Sequence, residues 1–226
     1  MFSILCVLCD LCGEFPLSLG GYGAAMICAI VLAAGESRRM GSQKLLLPFG
    51  NTTVIGHVVD ELLRSDVDAV YVVAGHEGSR IAEQLSRHTV TVVTNPDYKL
   101  GMLSSVRCGL QALPQQCEKV LVVLGDQPAV TSALVNQMVQ SFSATHKGIL
   151  VPLYRGKRGH PVMFSMRYRN EVMASFDNVG LRGLLQAHPD DIFELNVSTP
   201  AVLSDMDHPE DYRRELSSFE EKTQRG

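Results

Sequence analysis

The chain of 226 residues contains no tryptophan, and aromatic residues make up only 6% of it. It carries no excess of positive charge. Its formal net charge of −4 gives no basic footprint for general nucleic-acid binding. No apolar run reaches the ~18 residues that a membrane-spanning helix requires, so no membrane partner is expected. The first 37 residues hold neither lysine nor arginine, and Asp10 interrupts their apolar stretch, so a secretory signal with a positive leading region is not expected. Neither G-x-G-x-x-G nor G-x4-G-K-[ST] occurs after a strand-like run, so the dinucleotide fingerprint and the P-loop are both missing. What is present is an ordinary globular composition, 46% hydrophobic and 19% charged, with ample material for a core. The expected setting is the cytoplasm.

The six cysteines do not read as a disulfide scaffold in a chain of this size. Cys6, Cys9 and Cys12 have the spacing of metal ligands but no fourth partner nearby, and Cys28 falls inside an apolar run. Residues 1–25 read as an extension outside the fold, with residues 26–226 as the domain. A chain starting at Met26 is expected to fold and stay active.

From Met26 onward, strand-like and helix-like segments alternate. Ile27–Leu32, Ala69–Val73, Thr89–Val93, Lys119–Leu124 and Ile149–Val151 are apolar or β-branched runs suited to buried strands. Val54–Leu63, Ser79–Leu85, Ser105–Leu113 and Thr131–Ser143 have helical periodicity, the last with a threonine cap. In the C-terminal third, Tyr154–Gly159 reads as a turn, Pro161–Phe164 and Ile192–Val197 as strands, and Gly180–Ala187 and Pro209–Phe219 as helices. This order predicts a single α/β domain, a Rossmann-like doubly wound and mostly parallel sheet with helices on both faces. Ligands of such sheets bind beyond the carboxyl ends of the strands, so the segments after Leu32, Val73, Val93 and Leu124 are the places to look.

The run after the first strand is Ala33-Ala34-Gly35-Glu36-Ser37-Arg38-Arg39-Met40-Gly41, with Lys44 soon after. Small residues let backbone N–H groups approach an anion, and Arg38, Arg39 and Lys44 supply counter-charge, as a triphosphate needs. An exposed basic turn reads equally well from these residues alone. Gly125-Asp126-Gln127-Pro128 ends a buried strand with a carboxylate placed to hold Mg²⁺, or to cap the turn that follows. In Asp205-Met206-Asp207 the two acids share one face if the segment is extended. Glu210 and Asp211 behind them suit the first turn of a helix. Thr94-Asn95 and Ser104-Ser105 offer groups that read a base edge or a ribose hydroxyl, or that simply cap a helix.

Leu32-Ala-Ala-Gly-x-Ser-Arg-Arg-Met-Gly41 with Lys44 resembles the signature loop of the MobA-like nucleotidyltransferases, and most resembles the molybdenum cofactor cytidylyltransferases. The resemblance runs from about Met26 to Leu216, because further motifs follow in order. It implies CMP transfer from CTP to the terminal phosphate of a molybdopterin-type molybdenum cofactor, with Mg²⁺ and release of pyrophosphate. It places Arg38, Lys44 and Asp126 in catalysis, and Asp126 with Asp205 and Asp207 at the metal, Asp205 being preferred over Asp207. It implies nucleotide contacts from Leu32, Ala33, Ala34, Gly35, Ser37, Arg38, Arg39, Lys44, Ala74, Gly75, Thr94, Asn95, Ser104, Ser105 and Gly125. His160 and Pro161 match a Gly-His-Pro turn on the acceptor side. Asp177 and Arg182 match an acceptor motif from which Phe176 and Leu181 depart. A molybdenum hydroxylase apoenzyme is an implied partner. The rival expectations are a cytidylyltransferase for a sugar or methylerythritol phosphate, and a non-catalytic carrier of the molybdenum cofactor.

Overall fold

The computed structural model describes residues 25–225, with the side chains of Arg38, Lys222 and Arg225 outside the described residues. Cys6, Cys9, Cys12 and most of the N-terminal extension therefore also lie outside them.

The apolar runs form the strands. They are β1 (Met26–Ala33), β4 (Ala69–Ala74), β5 (Thr91–Thr94), β6 (Cys117–Leu124), β7 (Ile149–Tyr154), β8 (Lys157–Arg158), β9 (Val162–Ser165) and β10 (Ile192–Asn196). A two-stranded hairpin, β2 (Pro48–Phe49) with β3 (Thr52–Thr53), stands apart. The helices are α1 (Val54–Leu63), α2 (Gly78–Gln84), α3 (Met102–Ala112), α4 (Ser132–Ala144), α5 (Arg169–Ala174), α6 (Arg182–Ala187) and α7 (Pro209–Arg225). The sheet runs β10-β7-β9-β6-β1-β4-β5, with β8 paired to β7. β1, β4, β5 and β6 are mutually parallel, as are β7 and β10. β9 runs antiparallel between β6 and β7. The periodicity of Pro161–Phe164 marks a strand but carries no information on its direction, which long-range pairing decides.

β1 is buried on both faces, and its alternation builds two cores. Ile27, Ala29, Val31 and Ala33 join the core beneath α1, α2, α4 and α7, while Cys28 and Ile30 join the one beneath α3, α5 and α6. Thr131 caps α4 by accepting the Leu134 N–H at 3.4 Å. α3 begins three residues before the expected Ser105, because Gly101 rather than a side-chain cap precedes it.

The chain winds outward from β1 through β4 to β5, then crosses back to β6 on the other side of β1. That reversal opens a crevice at the carboxyl ends of β1 and β6, where a doubly wound sheet receives its ligand.

Candidate active site

A cavity of about 760 Å³ fills this crevice. Its walls bring together Leu32 of β1, Ala34, Gly35, Ser37, Arg39 and Lys44 from the first loop, Ser105 from α3, Asp126 beyond β6, and both Asp205 and Asp207. The Gly125 N–H donates to the Leu32 carbonyl at 3.0 Å and pins the two strand ends side by side. Met206 is fully buried between the more exposed Asp205 and Asp207, and its N–H donates to the Asp126 carbonyl at 3.3 Å. The alternation read from Asp205-Met206-Asp207 thus places both acids on the cavity side.

At the centre, Lys44 Nζ donates to Asp126 Oδ2 at 2.5 Å and to Asp207 Oδ1 at 3.3 Å, and Arg39 Nη1 reaches Asp207 Oδ2 at 2.8 Å. Lys44 and Asp126 keep only 14% and 17% of their side chains exposed, so solvent screens their pairing far less than that of a surface ion pair. Burial works to raise the Asp207 pKa, but Lys44 and Arg39 outweigh it and hold the carboxyl below its usual range. A cation therefore already sits between two carboxylates. Among the described residues no three His, Cys, Asp or Glu side chains gather as a closed metal cage. A hard cation at such a site takes one or two carboxylates from the protein and completes its shell with phosphate and water, the usual manner for Mg²⁺.

The second wall is held by mutual bonding. Asn95 is buried, and its Nδ2 donates to Ser104 Oγ at 2.9 Å and Ser105 Oγ at 3.0 Å, while its Oδ1 accepts the Asp97 N–H at 2.9 Å. These three side chains fix the turn from β5 into α3. Thr94 is exposed at the end of β5 and Ala74 is buried at the end of β4. Gly75 brings Tyr98 against Ala34: a Cβ at this position would lie 2.7 Å from Tyr98 Cβ and 2.8 Å from Ala34 Cβ.

His160 lies near enough to Asp126 and Asp205 to feel both charges. Burial lowers its pKa against the pull of Asp126 and Asp205, and its Nδ1 is buried without a partner. The peptide bond to the buried Pro161 is cis. The His160 backbone N–H donates to the Val202 carbonyl at 2.8 Å. Gly159 makes that approach possible, since a Cβ there would fall 2.1 Å from the same carbonyl oxygen. Asp177 turns instead to Arg107, 2.5 Å away, whose guanidinium also donates to the carbonyls of Val172 and Ser175. Arg182 is exposed at the start of α6. Neither Asp177 nor Arg182 lines the cavity.

The model of the MobA-like NTP transferase domain matches residues 29–192. The chain belongs to this family. The MobA-like domain is 27% identical to the molybdenum cofactor cytidylyltransferase of Escherichia coli over 187 residues, 82% of this chain and 93% of that protein. A nucleotidyl transferase from Methanothermobacter superposes with a TM-score of 0.76 at 27% identity, covering 88% of this chain and all of the other. A protein of Mycobacterium tuberculosis H37Rv, solved as a manganese complex, gives a TM-score of 0.68 at 27% identity over 85% and 99% of the two chains. The MobA-like domain is thus an enzyme of the nucleotidyltransferase type, on the mostly parallel α/β sheet expected of it. Among its described residues no helix is long and apolar enough to cross a membrane.

One residue that shapes this site carries no mark in the sequence. Gln43 stands in the polar run Gly41-Ser42-Gln43-Lys44, yet it is 95% buried and bonded to the loop after β1. Only its burial reveals it.

Proposed function

We infer that the enzyme transfers CMP from CTP to the terminal phosphate of a molybdopterin-type molybdenum cofactor and releases pyrophosphate, with Mg²⁺ as the metal. The observation that carries this reading is the convergence of Lys44, Asp126, Asp205 and Asp207 on one cavity beside a small-residue loop. The named activity of the Escherichia coli relative supports the choice of CTP and of acceptor. The manganese of the mycobacterial neighbour supports a divalent metal.

An oxygen of the acceptor phosphate attacks the α-phosphorus of CTP, and the bond to the β-phosphate bridging oxygen breaks. The attacking oxygen is already anionic, so no side chain has to remove a proton. The protein then contributes positioning and charge neutralisation. Backbone N–H groups of the Ala34–Ser37 loop face the phosphates, and Arg39 and Lys44 offset their charge. Arg38 belongs to the same loop and is assigned the same task. When the triphosphate enters, Lys44 exchanges its carboxylate partners for phosphate oxygens. Asp126, with Asp205 or Asp207, would hold the metal, which supplies neutralisation of charge on the phosphates. His160, Pro161, Asp177 and Arg182 are assigned to the acceptor side, and none of the four lines the cavity itself. A molybdenum hydroxylase apoenzyme is the natural recipient of the product.

The test is pyrophosphate release with each of the four nucleoside triphosphates and Mg²⁺, with and without molybdenum cofactor. Release with CTP and cofactor together supports the reading. Preference for another nucleotide overturns the choice of CTP. Turnover with a sugar or methylerythritol phosphate in place of the cofactor overturns the acceptor, and cofactor binding without any release turns the enzyme into a carrier.

A further inference from the structure

The loop after β1 holds a conformation that its residues do not favour. Ser37 has φ 51° and ψ 33°, the left-handed region, which a residue with a Cβ disfavours. Neighbouring groups must hold it there. Gln43 does so with both ends of its carboxamide.

The donors and acceptors close without remainder. Gly35 O and His76 O can only accept, so Gln43 Nε2 faces them, at 3.1 Å and 3.4 Å. Ser37 Oγ accepts the Lys44 N–H at 3.2 Å and gives its own hydrogen to Gln43 Oε1 at 2.7 Å. Rotating the amide by half a turn would set its oxygen against two carbonyl oxygens, so the orientation is fixed by chemistry. Gln43 is 5% exposed, where an unmet donor costs more than it would in water. The side chain thus ties the loop after β1 to the loop after β4, and it fixes the backbone from which Lys44 extends to Asp126. The Ser37 hydroxyl is spent inside this frame.

We propose that Gln43 is a positioning residue for the nucleotide: its carboxamide, through Ser37, Gly35 and His76, sets the loop that receives the triphosphate. This rests on the reading of the cavity as the nucleotide site. Ser37 then acts in the frame and not as a side-chain contact to the nucleotide. The frame leaves the acceptor side untouched.

The experiment measures KM for nucleotide and for acceptor by pyrophosphate release in Gln43→Met, Gln43→Glu and Ser37→Ala, using the nucleotide that the wild-type chain prefers. Each variant is expected to raise the nucleotide KM about tenfold or more with the acceptor KM unchanged. Gln43→Glu is the worst, because a carboxylate would face two carbonyl oxygens. The double variant Ser37→Ala/Gln43→Met should be no worse than the poorer single, since both remove one frame. A purely structural role would lower the active fraction and leave both KM values alone. If the Gln43 variants fail to fold, Ser37→Ala alone carries the test. Unchanged nucleotide KM, or an equal rise in both KM values, overturns the proposal. A wild-type chain that binds none of the four nucleotides overturns the functional reading and the proposal with it, and shows itself before any variant is made.

Discussion

Lys44 and Asp126 stand 82 residues apart in the chain and 2.5 Å apart in space, Nζ to Oδ2, across the mouth of the crevice between β1 and β6. The pair joins the segment after the first strand to the one after the fourth parallel strand in space. Each residue is placed by backbone bonds: the Lys44 N–H by Ser37, and the Asp126 carbonyl by Met206.

Lys44→Ala should therefore act on chemistry more than on folding. The ammonium is lost where phosphate charge develops, and Asp126 and Asp207 are left without their shared partner. A fall in kcat of about 10²–10³-fold is expected, the scale of losing one preorganised charge partner. Lys44→Arg keeps the charge but changes its shape, and should recover only part of the rate. Steady-state pyrophosphate release with circular dichroism as a folding control measures both.

Gly159→Ala should disturb fold and site together. The added Cβ would fall 2.1 Å from the Val202 carbonyl oxygen, which also accepts the His160 N–H. The strand turn or the Pro200–Leu203 segment must shift, and the latter leads directly into Asp205 and Asp207. The expected cost is about 1–3 kcal/mol, read as a lowered melting temperature together with weaker metal-dependent activity. An unchanged melting temperature contradicts it.

The acid limb of stability should carry the signature of Asp191. Burial raises its pKa, but the Tyr168 hydroxyl, the Arg167 guanidinium and the Gly148 N–H at 3.0 Å outweigh it and hold the carboxyl below its usual range. A group depressed in the folded state contributes stability above its unfolded value of about 3.9, and that contribution is lost as pH falls through the folded value. Asp191→Asn should thus be less stable than wild type at pH 7, and the gap should close toward pH 3. Denaturant midpoints at the two pH values decide it. A gap that stays constant excludes this carboxylate as the source.

Much of the architecture was legible because it is written locally. Val54–Leu63 emerges as the helix its periodicity predicts, and Thr131 caps α4 as a threonine before a helical run should. Other parts are set at long range. Pro161–Phe164 reads as a strand, yet its antiparallel place between β6 and β7 follows only from pairing with both. Arg169–Ala174 is too short for its period to stand out, and the two-residue strands of the Pro48–Thr53 hairpin are shorter still. At the site, residues whose chemistry is conspicuous in sequence, such as Lys44, Asp126 and Asp207, come together as charges do. Asn95, Ser104 and Ser105 carry the right groups but spend them on one another. Gln43 shows the opposite case: an ordinary polar residue whose burial and three partners, and not its type, define what it does.

The most direct test replaces one atom. Asp126→Asn keeps the size of the side chain and its place after β6 while removing its charge. The variant should fold as wild type does by circular dichroism and thermal melting, and its Mg²⁺-dependent release of pyrophosphate from CTP should fall by about 10²-fold or more. A variant that releases pyrophosphate at close to the wild-type rate would contradict the placement of the reaction at this carboxylate.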